Sequence, residues 1–189
     1  MLSVVIATQN SERALLPTLA ALVAGAAAGL VREVIVADAG SRDATLAIAD
    51  EAGCRVLASM QARGERLKAA AATARASWLL FLRPGVVLEA SWVDETRRFI
   101  DDAELRKGAS TYAVFRAGPF RPTMLEALAL LRAAVGAGPN ASQGLVIPRP
   151  LYDALGGHRD VEEPERDLLR RLGRRRLVRL RTGAFSAIT

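Results

Sequence analysis

Residues 33–45 read Glu33-Val34-Ile35-Val36-Ala37-Asp38-Ala39-Gly40-Ser41-Arg42-Asp43-Ala44-Thr45. A β-branched run that closes on a carboxylate and passes through a glycine turn reads as a strand buried on both faces. Asp43 then supplies capping chemistry for a helix over 44–52. Upstream, Leu2-Ser3-Val4-Val5-Ile6-Ala7-Thr8 is a second buried strand, followed by cap residues Asn10 and Ser11. Helical spacing of Leu15, Leu19, Leu22 and Val23 marks 12–29. Downstream come a short strand at 54–58, an Ala-rich helix at 64–75 and the strand Trp78-Leu79-Leu80-Phe81-Leu82, stopped by Pro84-Gly85. Strand and helix therefore alternate four times, which predicts an α/β fold: a parallel sheet with helices on both faces and right-handed crossovers. Ligands of such sheets sit at the carboxyl ends of the strands. Here those ends are 8–10, 38–40 and 83–85.

The second half is less regular. Helices are expected at 92–101, 122–135, 151–155 and 163–172, and strands at 112–116, 144–147 and 177–180. The helix at 122–135 is apolar through Leu125, Leu128 and Leu131, and a Gly/Pro/Asn loop follows at 136–142. No repeat, linker or composition break divides the chain, so one domain over 1–189 is expected.

The chain has 189 residues, 51% of them hydrophobic, enough for a core. A single cysteine, Cys54, excludes an internal disulfide, and with a single histidine it argues against zinc. No apolar run reaches the length of a membrane span, and the first residues lack a signal peptide's basic start and cleavage site, so a cytoplasmic protein is expected. The net charge of +6 favours anionic partners. The segment Arg174-Arg175-Arg176-Leu177-Val178-Arg179-Leu180-Arg181 alternates like a half-buried basic strand. It lacks interleaved aromatics, which argues against nucleic acid and leaves peripheral contact with an anionic membrane.

Several blocks together resemble the family 2 glycosyltransferases, in particular a short bacterial subgroup. Ser3-Val4-Val5-Ile6-Ala7-Thr8-Gln9-Asn10 is similar to the family's opening S-V-V-I-P-T-Y-N, and 33–45 to its E-V-I-V-V-D-G-G-S-x-D-x-T. The likeness continues through Arg63-Gly64, the strand at 78–82, Gln143-Gly144-Leu145-Val146-Ile147-Pro148-Arg149, Leu155-Gly156-Gly157 and Arg170-Arg171-Leu172-Gly173. The resemblance implies a GT-A fold, with a Rossmann-like, mostly parallel sheet flanked by helices. It implies a nucleotide-binding half at 1–88, an acceptor half at 89–189, and transfer of a sugar from a UDP- or GDP-type donor.

Residue by residue, the resemblance implies that Asp38 accepts hydrogen bonds from the base, with Thr8 and Asn10 beside base and ribose. Asn10 serves equally as a helix cap, and Ser41, Asp43 and Thr45 read first as turn residues. Arg63 would neutralise phosphate; Lys68 reads as a solvated helix face. Gln143 and His158 would line the acceptor pocket. The family's base falls at Glu165, with Asp167 at a further downstream acid and Glu162 and Glu163 as alternatives if the register slips. The chain departs from the pattern after its fourth strand. The family has an Asp-x-Asp-type metal motif there, whereas this segment reads Arg83-Pro84-Gly85-Val86, and Glu89 lies too far along. No divalent metal is therefore expected at that position and no cofactor is certain, with Arg83 as the cation that would replace the metal. The sequence thus points to a metal-independent glycosyltransferase, or alternatively to a catalytically inactive binding or partner module on the same fold.

Overall fold

The computed structural model describes residues 1–106, 111–117 and 143–187. The expected apolar helix at 122–135 and loop at 136–142 lie outside the described residues. The elements run β1 (Leu2–Thr8), α1 (Glu12–Ala27), β2 (Val31–Asp38), α2 (Thr45–Glu51), β3 (Arg55–Ala58), α3 (Arg63–Ala72), β4 (Trp78–Leu82) and β5 (Val86–Leu88). They continue with α4 (Trp92–Leu105), β6 (Tyr112–Ala117), β7 (Leu145–Pro148), α5 (Arg149–Ala154), α6 (Pro164–Leu172) and β8 (Leu177–Ser186).

The eight strands among the described residues form one sheet in the order β3-β2-β1-β4-β7-β6-β8-β5. β3, β2, β1 and β4 are parallel, with Thr8 opposite Asp38 and Asp38 opposite Ala58. The sheet then turns mixed: β7 is antiparallel to β4 and β6, β8 is parallel to β6, and β5 is antiparallel to β8. It is the mixed, mostly parallel α/β sheet with flanking helices that the sequence implies.

Side-chain alternation divides the core between two faces. Val4, Ile6, Leu80 and Leu82 pack beneath Leu15, Leu19 and Leu22 of α1 and Trp92 and Phe99 of α4. Val5, Ala7, Leu79 and Phe81 face Leu67 and Ala70 of α3, Tyr152 of α5 and Leu168 and Leu169 of α6. Val4, Val5 and Ile6 are fully buried. Each is worth roughly 1.5–3 kcal/mol of transfer free energy, which explains why β1 needs no alternation of polarity.

Two acids shape the far edge. Glu95 on α4 accepts the backbone N–H groups of Arg181 and Thr182 at 2.6 Å each, and Glu89 accepts that of Gly183 at 2.7 Å. They anchor β8 close to where its register with β6 shifts. The basic strand is thus longer than expected and lies inside the sheet, with Leu180, Thr182 and Ala184 buried and Arg179 and Arg181 exposed. Among the described residues no helix is long and apolar enough to cross a membrane.

α3 meets the loop before α6 at Gly64. A Cβ there would lie 1.9 Å from the carbonyl oxygen of Arg159, a backbone atom with no room to yield. Gly64→Ala is therefore expected to cost about 1–2 kcal/mol by overpacking, read as a lower urea midpoint at unchanged slope. An unchanged midpoint would mean that the 159–160 loop moves freely.

Candidate active site

The carboxyl ends of β1 and β2 are laced together by short polar side chains. The Asp38 carboxylate accepts from Thr8 Oγ1 at 2.7 Å, Ser41 Oγ at 2.5 Å and the Ser41 backbone N–H at 2.7 Å. Asn10, in the left-handed region at φ 46°, donates its backbone N–H to Ser41 Oγ, and its Oδ1 accepts the Arg42 backbone N–H at 2.9 Å. Thr45 Oγ1 accepts the Ser11 backbone N–H, and Asp43 accepts that of Glu12. Ser41, Asp43 and Thr45 are thus turn and helix-start residues, as their types suggest.

The same lacing takes up Asp38. The sequence places its carboxylate against a nucleobase, but the side chain is 0% exposed and turned onto Thr8 and Ser41. Burial pushes its carboxyl up, and the Ser41 and Thr8 donors outweigh this, holding it below the usual aspartate range. Thr8 is likewise buried, at 2% exposure. Only Asn10 of the three expected base contacts is exposed, with its amide –NH2 directed to no protein partner among the described residues.

Beneath the strand ends lies Arg66, which the sequence reading missed. Its Nη1 donates to the carbonyls of Thr8 at 3.0 Å and Ala37 at 2.6 Å, and its Nε donates to that of Gln61 at 3.1 Å. At 7% exposure it is a buried cation, pulled below its usual pKa by burial and supported by Asp38. The available signal was its helical phase: Arg66 shares the stripe of Leu67, Ala70 and Ala71 that α3 buries.

Three candidates that are distant in sequence converge at one point. Glu165 Oε1 lies 2.5 Å from Arg63 Nη2, and Glu165 Oε2 lies 3.2 Å from Arg83 Nη2. Arg83 Nε adds a 3.3 Å bond to Oε1. Arg63 stands at the first residue of α3, Glu165 in the first turn of α6, and Arg83 just past the end of β4. Burial pushes the Glu165 carboxyl up, but Arg63 and Arg83 together hold it below the ordinary glutamate range. Two guanidiniums on one carboxylate leave the cluster with one net positive charge.

Of the remaining candidates, His158 borders this cluster and the others lie apart from it. His158 is 2% exposed, edge-on to Phe81 at 4.7 Å, with Nδ1 at 2.9 Å from the Tyr152 hydroxyl. Burial pushes its pKa down to about 4. His158, Arg83, Glu165, Gly144 and Phe81 line a small cavity of about 20 Å³. Asp167 is paired with Arg171 at 2.8 Å, and Arg171 in turn donates to the carbonyls of Leu155 and Gly157. Through Arg171, Asp167 fastens the 155–157 loop. Gln143 donates to the Phe115 carbonyl, while Lys68, Glu162 and Glu163 are exposed. Cys54 is half-buried, its thiol pushed up to about 11 by burial.

The family described as Glycosyl transferase family 2 matches residues 3–104, more than half of the chain. Among curated proteins, none matches the chain in sequence. Solved structures do match. Crystallographic S. aureus TarS 1–349 superposes with a TM-score of 0.76 at 15% identity, over 98% of this chain and 60% of that one. The same protein in complex with UDP-GlcNAc gives 0.73 at 16% identity, over 98% and 58%. Glucosyl-3-phosphoglycerate synthase from Mycobacterium tuberculosis, in complex with Mn2+, UDP and glucosyl-3-phosphoglycerate, gives 0.65 at 22% identity, over 95% and 68%. At these identities the likeness is one of fold. The chain spans about 60% of the TarS 1–349 chain that it matches.

Proposed function

The chain belongs to the family 2 glycosyltransferases, and from that premise we propose that it binds a nucleoside-diphosphate sugar of the UDP type and transfers the sugar to an acceptor hydroxyl. The observation that carries this reading is the pair of guanidiniums, Arg63 and Arg83, held at the carboxyl edge of the parallel strands and within reach of one anion. Fold neighbours solved with UDP or UDP-GlcNAc support the choice of base. In this reading Arg63 and Arg83 hold the diphosphate, Asn10 meets the base or ribose through its free amide, and Asp38 and Thr8 set the shape of the loop. His158 and Gln143 border the acceptor side. Glu165 takes the proton from the acceptor hydroxyl. The acceptor oxygen bonds to the anomeric carbon as its bond to the diphosphate oxygen breaks, and the nucleoside diphosphate leaves with its electron pair, against the two guanidiniums. Attack opposite the leaving group inverts the anomeric centre.

A divalent cation does not fit the donor set at the end of β4. Hard cations need oxygen ligands, yet residues 83–86 carry no carboxylate, and both oxygens of Glu165 are held by arginines. Fixed guanidinium charge is the stabiliser of the leaving diphosphate in this proposal, and no step runs through a metal. Calorimetric titration of UDP tests it. Binding is expected without Mn2+, little changed by adding it, and weakened about tenfold in Arg63→Ala, the cost of one charge-assisted contact. Binding that requires Mn2+, or that ignores Arg63, would remove this assignment.

A second reading draws on the same pairing. Because Glu165 is held by two cations, the chain also suits a module that binds the nucleotide without turnover. UDP binding with no hydrolysis of UDP-sugars, and no transfer to any hydroxyl acceptor offered, would favour it.

A further inference from the structure

The Arg63–Glu165–Arg83 cluster already contains an anion. Both Glu165 oxygens rest on the guanidiniums that the proposed function gives to the donor diphosphate. A carboxylate so engaged cannot also accept a proton from a hydroxyl, and guanidiniums holding it cannot fully engage a diphosphate. The two roles therefore need Glu165 in two positions.

The cavity beside it offers the second position. Glu165 and His158 both line this space of about 20 Å³, enough for one water-sized group such as a carboxylate oxygen. The tautomer of His158 follows from its neighbours. The Tyr152 hydroxyl accepts the His158 backbone N–H at 3.2 Å and lies 2.9 Å from Nδ1. Donating its own proton to Nδ1 satisfies both groups, which leaves the ring proton on Nε2. Nε2 is buried and has no hydrogen-bond partner among the described residues. A buried donor without an acceptor is costly, and the buried acid lining the same space is Glu165.

We propose that Glu165 is a two-position latch: it occupies the diphosphate site of the free protein, and a bound nucleoside diphosphate displaces it onto the Nε2–H of His158. The general base thus becomes available only once the donor is in place, and donor binding precedes acceptor activation. A ligand can shift such an equilibrium only by its different affinity for the two states. Here the difference arises because diphosphate and carboxylate compete for the same two guanidiniums. The inference rests on the reading of Arg63 and Arg83 as diphosphate ligands.

UDP titrated by calorimetry into the full chain tests it, using wild type, Glu165→Gln, His158→Phe and the double variant, all without metal. Removing the internal competitor in Glu165→Gln is expected to tighten UDP about tenfold. His158→Phe keeps the aromatic packing but removes the second seat, and is expected to weaken UDP about threefold in wild type and not at all beside Glu165→Gln. A merely structural effect of His158 would appear equally in both backgrounds and would overturn the displaced position. Should wild type bind UDP in an Arg63-dependent manner while Glu165→Gln binds no tighter, the latch is overturned and the donor site stands. Absence of UDP binding in both wild type and Glu165→Gln would overturn latch and donor site together. If Glu165→Gln melts below the titration temperature, Glu165→Asp replaces it; its shorter reach weakens the latch, and tighter UDP is again the expected result.

Discussion

Replacing Arg66 with methionine should lower the unfolding free energy by about 3–4 kcal/mol, the largest single-residue loss expected outside the apolar core. The side chain is 7% exposed and makes three charge-assisted bonds, to the carbonyls of Thr8, Ala37 and Gln61. Thr8 and Ala37 lie on neighbouring strands, so one guanidinium ties the carboxyl ends of β1 and β2 together from below. Methionine fills much of the volume but supplies no donor. It also removes the cation that offsets the buried Asp38 carboxylate. Lysine should recover less than half of the loss, because a single ammonium cannot reproduce the planar fork that serves three acceptors. Urea denaturation of wild type, Arg66→Met and Arg66→Lys reads the effect directly. UDP affinity should fall along with stability, since the loops carrying Asn10 and Ser41 grow from these strand ends. A methionine variant within about 1.5 kcal/mol of wild type, the lower end of what one hydrogen bond to a charged group contributes, would show that the strand ends hold without it.

Arg66 marks where a single sequence stops being legible. β1, β2 and β4 were readable because each carries an apolar run, Val4–Ala7, Val34–Ala37 and Trp78–Leu82, the pattern of a strand covered on both faces. Their carboxyl ends followed from topology, and Arg63, Arg83 and Glu165 do gather beside that edge. β5 was missed because Val86–Leu88 is three residues long and follows a Pro-Gly stop. The orientation of Asp38 could not be read either. A carboxylate at a strand end looks alike in sequence whether it meets a ligand or a threonine 30 positions away, and it is the folded loop that brings the Thr8 and Ser41 hydroxyls to it. Arg66 beside Glu65 and Lys68 resembles a solvated helix face, and its burial follows only from phase with Leu67 and Ala70. The pairing of Glu165 with two arginines joins α3, the end of β4 and α6, which no local pattern predicts. Arg83 was the exception: the sequence singles it out as a cation just past the fourth strand, and the geometry gives it a carboxylate to hold.

Acid should destabilise the protein well before its carboxylates titrate, and His158 is the cause. Its ring is pushed down to about 4 from an ordinary value of 6.5, first by burial, with Arg171 and Arg63 adding to this and Glu165 and Asp167 opposing it. Above pH 6.5 the ring is neutral in both folded and unfolded chains, and its environment costs nothing. Between 6.5 and 4 the unfolded chain takes up a proton that the folded chain refuses, so each pH step downward favours unfolding. Below 4 the folded ring is protonated as well and the loss levels off. From pH 7 to 4.5 this linkage amounts to about 2.5 kcal/mol. At pH 4.5 the depressed carboxyls of Asp38, Glu33, Glu95 and Glu165 are only beginning to give up their contribution, which is lost as the unfolded groups protonate around their ordinary values of 3.8 and 4.5 and below. Urea unfolding at closely spaced pH values should therefore give a stability that falls from pH 6.5 in wild type, and in His158→Phe one that stays nearly flat until the carboxyls begin to contribute at about pH 5. A flat wild-type profile would mean that the ring can protonate in place. That outcome would also remove the neutral Nε2–H donor beside Glu165, because an imidazolium there would be a third cation next to Arg63 and Arg83, and the carboxylate would no longer have a choice between charged and uncharged partners.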